Sequence, residues 1–206
     1  MSVFTSWVKN FARLTAVAFT AMALSGCVSG VYVDNHIKDV PTAERIAVAN
    51  PQPVQLFYEF QTKGTRNGQA TDFTKDMVLK AIKDSGLFSN VSTEPVPSGA
   101  MLNMSINNVA LTDDAFAKGF ITGFTFGLVG TTSGDGYICT IDYKARPDAA
   151  SIQTVTRDAI YASFGTNGQP AETVKVKDFK AAVEMMTHKI VGNGLNDLAK
   201  NPAFPK

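Results

Sequence analysis

"AMLNMSINNVAL", residues 100–111, alternates without a break: Leu102, Met104 and Ile106 fall on one side, and Asn103, Ser105 and Asn107 on the other. A period of two with one apolar and one polar side reads as a strand half buried in a sheet. The asparagines and serine suit a face left open to water, which antiparallel sheets often have. Working outward, "GYICTIDYKA" (136–145) repeats the alternation, with Tyr137, Cys139, Ile141 and Tyr143 together. "SIQTVTRDAIYASFG" (151–165) follows across "RPDAA", so the two form a hairpin. Upstream, "VQLFYEFQT" (54–62) places Leu56, Tyr58 and Phe60 on one face, and "FSNVSTE" (88–94) is a further short strand.

Two segments carry a different period. In "TDFTKDMVLKAIKDSG" (71–86), Phe73, Met77, Val78, Ala81 and Ile82 recur at helical spacing. Thr71 or Asp72 is the expected N-cap there and Gly86 the stop, with Asn67-Gly68 in "TRNGQA" read as the turn before it. In "DFKAAVEMMTHKIVGNGLNDLAK" (178–200), Phe179, Val183, Met186 and Ile190 make one stripe behind an Asp178 cap. Gly192 and Gly194 are expected to weaken its last turns by about 1 kcal/mol each. Strand, helix, two strands, hairpin, helix is an α+β order: a mainly antiparallel sheet with two helices packed on one face. We read residues 44–206 as this single domain, with an insertion at 114–132.

The insertion contains "GFITGFTFGLVG" (119–130), which is uncharged and aromatic. Wound as a helix, Gly119, Gly123 and Gly127 form one stripe, and Phe120, Phe124 and Leu128 another. Drawn as a strand, Phe120, Phe124, Phe126 and Leu128 share a face. As a helix it spans only about 18 Å, short of a bilayer crossing. It reads either as an irregular apolar connection over the sheet, or as a patch for a membrane surface or another subunit, which closely set glycines favour. Since the helices and alternating strands already close a two-layer domain, residues 116–130 are expected to lie outside the main core and to associate with a membrane or a second copy.

The N-terminus reads as an address. MSVFTSWVKNFAR carries Lys9 and Arg13, LTAVAFTAMA is a short apolar run, and small residues follow. This is the layout of an export signal. Leu24-Ser25-Gly26-Cys27 resembles the lipobox of bacterial lipoproteins. The resemblance implies a signal peptide over residues 1–26, cleavage before Cys27, diacylation of its thiol and acylation of the new amine. Val28, rather than aspartate, after the cysteine implies the outer membrane, with the domain facing the periplasm. Several acyl chains on one residue exceed what stable anchoring needs. Residues 27–43 are then the lipidated end and a tether, with Val31-Tyr32-Val33 available as a short edge strand.

Chemistry is sparse. The chain has 206 residues with a formal net charge of +1, so no clustered basic excess marks a nucleic-acid surface. Lipidation of Cys27 leaves Cys139 with no disulfide partner, and it reads as a small buried hydrophobe. Neither His36, in the tether, nor His188, at the edge of the last helix, has a histidine or cysteine at metal-ligand spacing. Asp113-Asp114 reads as a solvated turn, and "SGDGY" (133–137) as a turn at a strand start rather than a calcium loop. We therefore expect no enzyme, cofactor or metal. The alternatives are a periplasmic module binding a lipid or glycan, and a hydrolase using His188 with Asp113 or Asp114.

A lipobox, a compact strand–helix–strand domain and the segment Thr125-Phe126-Gly127-Leu128 before a hairpin resemble a broad group of small envelope lipoproteins. Those carry a "TLGL"-like segment at this place; here phenylalanine stands for leucine, and Gly130-Thr131 stands where proline usually follows. More distantly, the layout is similar to the TraT surface-exclusion lipoproteins. The resemblance implies a non-catalytic structural or accessory component of a secretion, export or surface assembly. The partners implied are the membrane, through Cys27, and another protein or a second copy.

Overall fold

The computed structural model describes residues 28–111, 132–165 and 169–205. In these, eight strands make one sheet: β1 (Val28–Asp34), β2 (Gln52–Thr62), β3 (Thr65–Arg66), β4 (Phe88–Ser92), β5 (Met101–Ala110), β6 (Thr132–Lys144), β7 (Ile152–Phe164) and β8 (Thr173–Val176). The helices are α1 (Gly68–Ser85) and α2 (Phe179–Lys200). Across the sheet the order is β3-β2-β5-β6-β7-β1-β8, with β4 also beside β2. The pairs are antiparallel except β2 with β4 and with β5. Those two are parallel because α1 carries the chain back before β4 and β5 begin. The helices pack on each other and on one face of the sheet, so the fold is a two-layer α+β sandwich.

Register explains the core. Leu102, Met104 and Ile106 of β5 stand opposite Tyr143, Ile141 and Cys139 of β6. On the other flank they meet Leu56, Tyr58 and Phe60 of β2. Because side chains alternate along every strand, these rows all face the helices, where Leu102, Ile106, Cys139 and Ile141 are fully enclosed. Truncating any one of the three aliphatic residues to alanine costs about 2–5 kcal/mol.

Both helices bury most of the expected stripe, Val78, Ala81 and Ile82 of α1 and Val183, Met186 and Ile190 of α2, and expose only its first residue. In α1 the buried face is Thr74, Val78, Ala81 and Ile82, and Phe73 is 47% exposed. Thr74 takes the inner place because its hydroxyl lies 2.6 Å from the Tyr58 hydroxyl, tying α1 to β2. The N-cap is Asn67, whose Oδ1 accepts from the Ala70 amide at 3.0 Å, and not Thr71 or Asp72. The hairpin turn lies earlier, at Lys63-Gly64 between β2 and β3. Thr71 instead accepts a hydrogen bond from the Phe60 amide, and Gly86 ends the helix in the left-handed conformation. On α2 the Asp178 cap is as expected, accepting from the Ala181 amide at 2.8 Å, but Phe179 is exposed. Gly194 is buried. A Cβ there would lie 2.8 Å from Ile141 Cδ1, so its missing side chain is what lets α2 press onto β6.

Two expectations need correcting, and one strand has to be added. Residues 28–34 are no tether and no edge. β1 pairs with β7 on one side and β8 on the other, and Tyr32, Val33 and Asp34 are buried. The following segment is strapped to the helices: Asn193 Nδ2 donates to Lys38 O, and Asn196 Oδ1 accepts from the Ile46 amide. Second, "SGDGY" is not a turn, because Ser133–Tyr137 pairs with β7 throughout and, from Asp135 on, also with β5. The added strand, β8, escaped the sequence reading, since its four residues carry too little pattern to separate from loop.

Candidate functional site

Cys27, Asp113, Asp114 and the segment residues Gly119, Phe120, Gly123, Phe124, Phe126, Gly127 and Leu128 lie outside the described residues. Their flanks are well placed, however. Val28, the first residue after the cysteine, pairs with Phe164, and Thr132, at the far side of the insertion, pairs with the adjacent Ser163. The Leu111 amide, at its near side, donates to Gly134 O. The N-terminal end of β1 and both ends of the insertion therefore lie at one end of the sheet: Thr132 is two strand spacings from Val28, roughly 10 Å, and Leu111 three, roughly 15 Å. On the face away from the helices, that end carries a second apolar cluster of Tyr32, Val109, Leu111, Ala159 and Tyr161.

On the helix face of the same region lies a polar cluster that the sequence did not announce. Lys189 of α2 and Asp158 of β7 are both buried, with Nζ 2.9 Å from Oδ2. Asp158 Oδ1 accepts from the Ala159 amide. Burial pushes the Asp158 carboxyl up to about 7, against the downward pull of Lys189. Lys189 also donates to the backbone carbonyl of Asp34. The Asp34 carboxylate in turn holds His36 Nδ1 at 2.9 Å, and His36 Nε2 lies 2.7 Å from Glu172. The network thus pins β1 to α2, β7 and the start of β8.

His188 and Cys139 have structural surroundings. His188 Nδ1 lies 2.8 Å from Asp39 Oδ1 and Nε2 3.4 Å from Asp84 Oδ2. Asp84 is held below the usual carboxylate range chiefly by its hydrogen bond from Lys80. Both ring nitrogens face carboxylates, so the ring ties the segment after β1 to the end of α1. The hollow beside the ring offers about 20 Å³, room for about one water. Cys139 is fully buried and unpaired, and burial pushes its thiol up to about 12, far from a thiolate nucleophile.

The roomier concavity is on the open face. It holds about 430 Å³ and is lined by Phe57, Glu59, Arg66, Asn103, Ser105, Thr140 and Asp142, among others. Phe57, Asn103 and Asp142 lie side by side across β2, β5 and β6, and Glu59, Ser105 and Thr140 form the next row. The hollow exists because the central strands carry short side chains while β2 and β3 raise a rim of Phe57, Glu59 and Arg66. The polar half of the alternation was visible in sequence. Its meeting with Phe57 and Arg66 depends on pairing between distant segments.

No protein-family model matches the sequence, and no curated protein matches it. Solved structures similar to it include the PelC dodecamer from Paraburkholderia phytofirmans, at 9% identity and TM-score 0.35 over 83% of this chain and 97% of that one. A leucine-to-methionine variant of the same dodecamer gives 11% identity and TM-score 0.34, covering 82% and 95%. A putative neuraminyllactose-binding hemagglutinin homolog from Helicobacter pylori gives 10% identity and TM-score 0.36, covering 82% and 91%. These similarities are distant and carry no functional assignment.

Proposed function

We propose that this chain is a lipid-anchored lipoprotein of the bacterial outer membrane, and a non-catalytic structural or accessory component of an envelope assembly. The observation that carries the reading is Leu24-Ser25-Gly26-Cys27 directly ahead of β1. An acylated Cys27 would hold the sheet end at Val28 within about one residue, some 3 Å, of the lipid interface. Leu111 and Thr132, which flank the insertion holding 119–130, stand at that same end, which supports contact of that segment with the membrane or with a second copy anchored alongside. The small hollow beside His188 and the enclosed thiol of Cys139 support a binding role over a catalytic one.

Growth with labelled palmitate tests the anchor. The label is expected to enter the wild-type chain and to be absent from Cys27→Ser, which should leave the membrane fraction. A wild-type chain that takes up no label overturns the reading.

A further inference from the structure

We propose that the open face of the sheet is a binding site for an uncharged oligosaccharide, seated in the groove over β2, β5 and β6. This goes beyond the anchoring argument and does not depend on Cys27. The groove's volume of about 430 Å³ falls within the range of small-ligand sites, roughly 300–1,000 Å³. Phe57 stands at one side of the groove, 46% exposed, beside the polar side chains of Asn103, Glu59 and Asp142 that also line it. An exposed ring in that setting offers a flat apolar platform to the C–H face of a sugar.

The neighbouring groups suit the same ligand. Asn103 and Asp142 follow Phe57 across the sheet in steps of about 4.8 Å. A pyranose stacked on the ring would present its hydroxyls to an amide and a carboxylate. Ser105, Thr140 and Glu59 line the next row, about 7 Å along the strands. Asn103, Ser105, Thr140 and Arg66 make no side-chain hydrogen bond to any described residue, so their donors and acceptors are not already engaged by those residues. The floor is too polar for an acyl chain, since burying unpaired amides and hydroxyls against hydrocarbon is costly. Two carboxylates, Glu59 and Asp142, outnumber the single guanidinium of Arg66, which disfavours a polyanion. A peptide strand would seek unpaired backbone at a sheet edge, whereas β5 and β6 here are paired on both sides.

Calorimetric titration of the mature chain in detergent tests this with hexasaccharides of β-linked glucose and of N-acetylglucosamine. A heparin hexasaccharide and a random hexapeptide mixture serve as competing chemistries. A neutral hexasaccharide is expected to bind, with Phe57→Ala weakening it at least tenfold and Thr140→Lys, which fills the groove floor, abolishing it. Phe73→Ala removes an equally exposed ring from α1 and should leave affinity unchanged. Circular dichroism melts of the variants check that each remains folded. Binding of neither neutral probe overturns the proposal, as does binding indifferent to both groove variants, or preference for the heparin or peptide probes.

Discussion

The Asp158 carboxyl is enclosed beneath α2, faces the Lys189 ammonium at 2.9 Å and is pushed up to about 7. In the unfolded chain it returns to the ordinary value of 3.8. Between those values the native state keeps a proton that the unfolded state has released, so this group's contribution falls as pH rises from about 4 to about 7 and is level beyond. Asp158→Asn removes that slope. Melting temperatures taken from pH 4 to pH 8 should decline more steeply in the wild type than in the variant; parallel profiles would refute the assignment. Lys189→Met alone breaks the buried pair and raises the Asp158 carboxyl further, and should cost about 3–5 kcal/mol above pH 7, where the wild-type pair is charged. Asp158→Asn with Lys189→Met should cost less than Lys189→Met alone. Nothing in "TRDAI" or "THKIV" reveals this pair, because lysine and aspartate ordinarily mark solvated positions. Only the docking of α2 on β7 makes them interior.

At the scale of elements, α2 contains two glycines that helix propensity treats alike and packing does not. A Cβ at Gly192 meets nothing within 4 Å, whereas at Gly194 it would lie 2.8 Å from Ile141 Cδ1 and 3.5 Å from Thr156 Oγ1. Ile141 is fully enclosed and has nowhere to swing. Gly192→Ala should therefore stabilise the protein by about 0.5–1 kcal/mol, and Gly194→Ala should destabilise it by about 1–3 kcal/mol through overpacking. Urea unfolding of the two variants decides this; equal effects would show that the close approach of α2 to β6 is dispensable. The same contrast explains what was legible. The core strands and both helices were readable because ten or more residues in one period leave little ambiguity. Phe73 and Phe179 misled because a stripe gives the period of a helix but not the angle at which it docks. β1 was obscured because its pattern is short, and its burial comes from β7 and β8, far along the chain.

For the whole molecule, the meeting of Val28, Leu111 and Thr132 at one sheet end gives the protein a polarity. Replacing residues 119–130 by a short Gly/Ser linker should leave the melting transition cooperative while abolishing self-association or detergent-sensitive binding, read by sedimentation and vesicle flotation. Loss of folding would instead place that segment in the core. The two-layer architecture was legible in the order of its elements. The open-face groove was not, since its lining belongs to strands that a helix, a strand and an insertion separate in sequence. The inner position of β1 also bears on time. Ser29 bonds to Ser163, 134 positions later, and β8 comes later still. The first strand to be synthesised is thus among the last to find its partners, and contacts of such long separation slow folding. Until residues near Val176 emerge, Val31, Tyr32 and Val33 have no complete sheet to join. A nascent chain stalled earlier would carry an orphan strand, a natural substrate for a holding chaperone and a seed for aggregation if none is at hand.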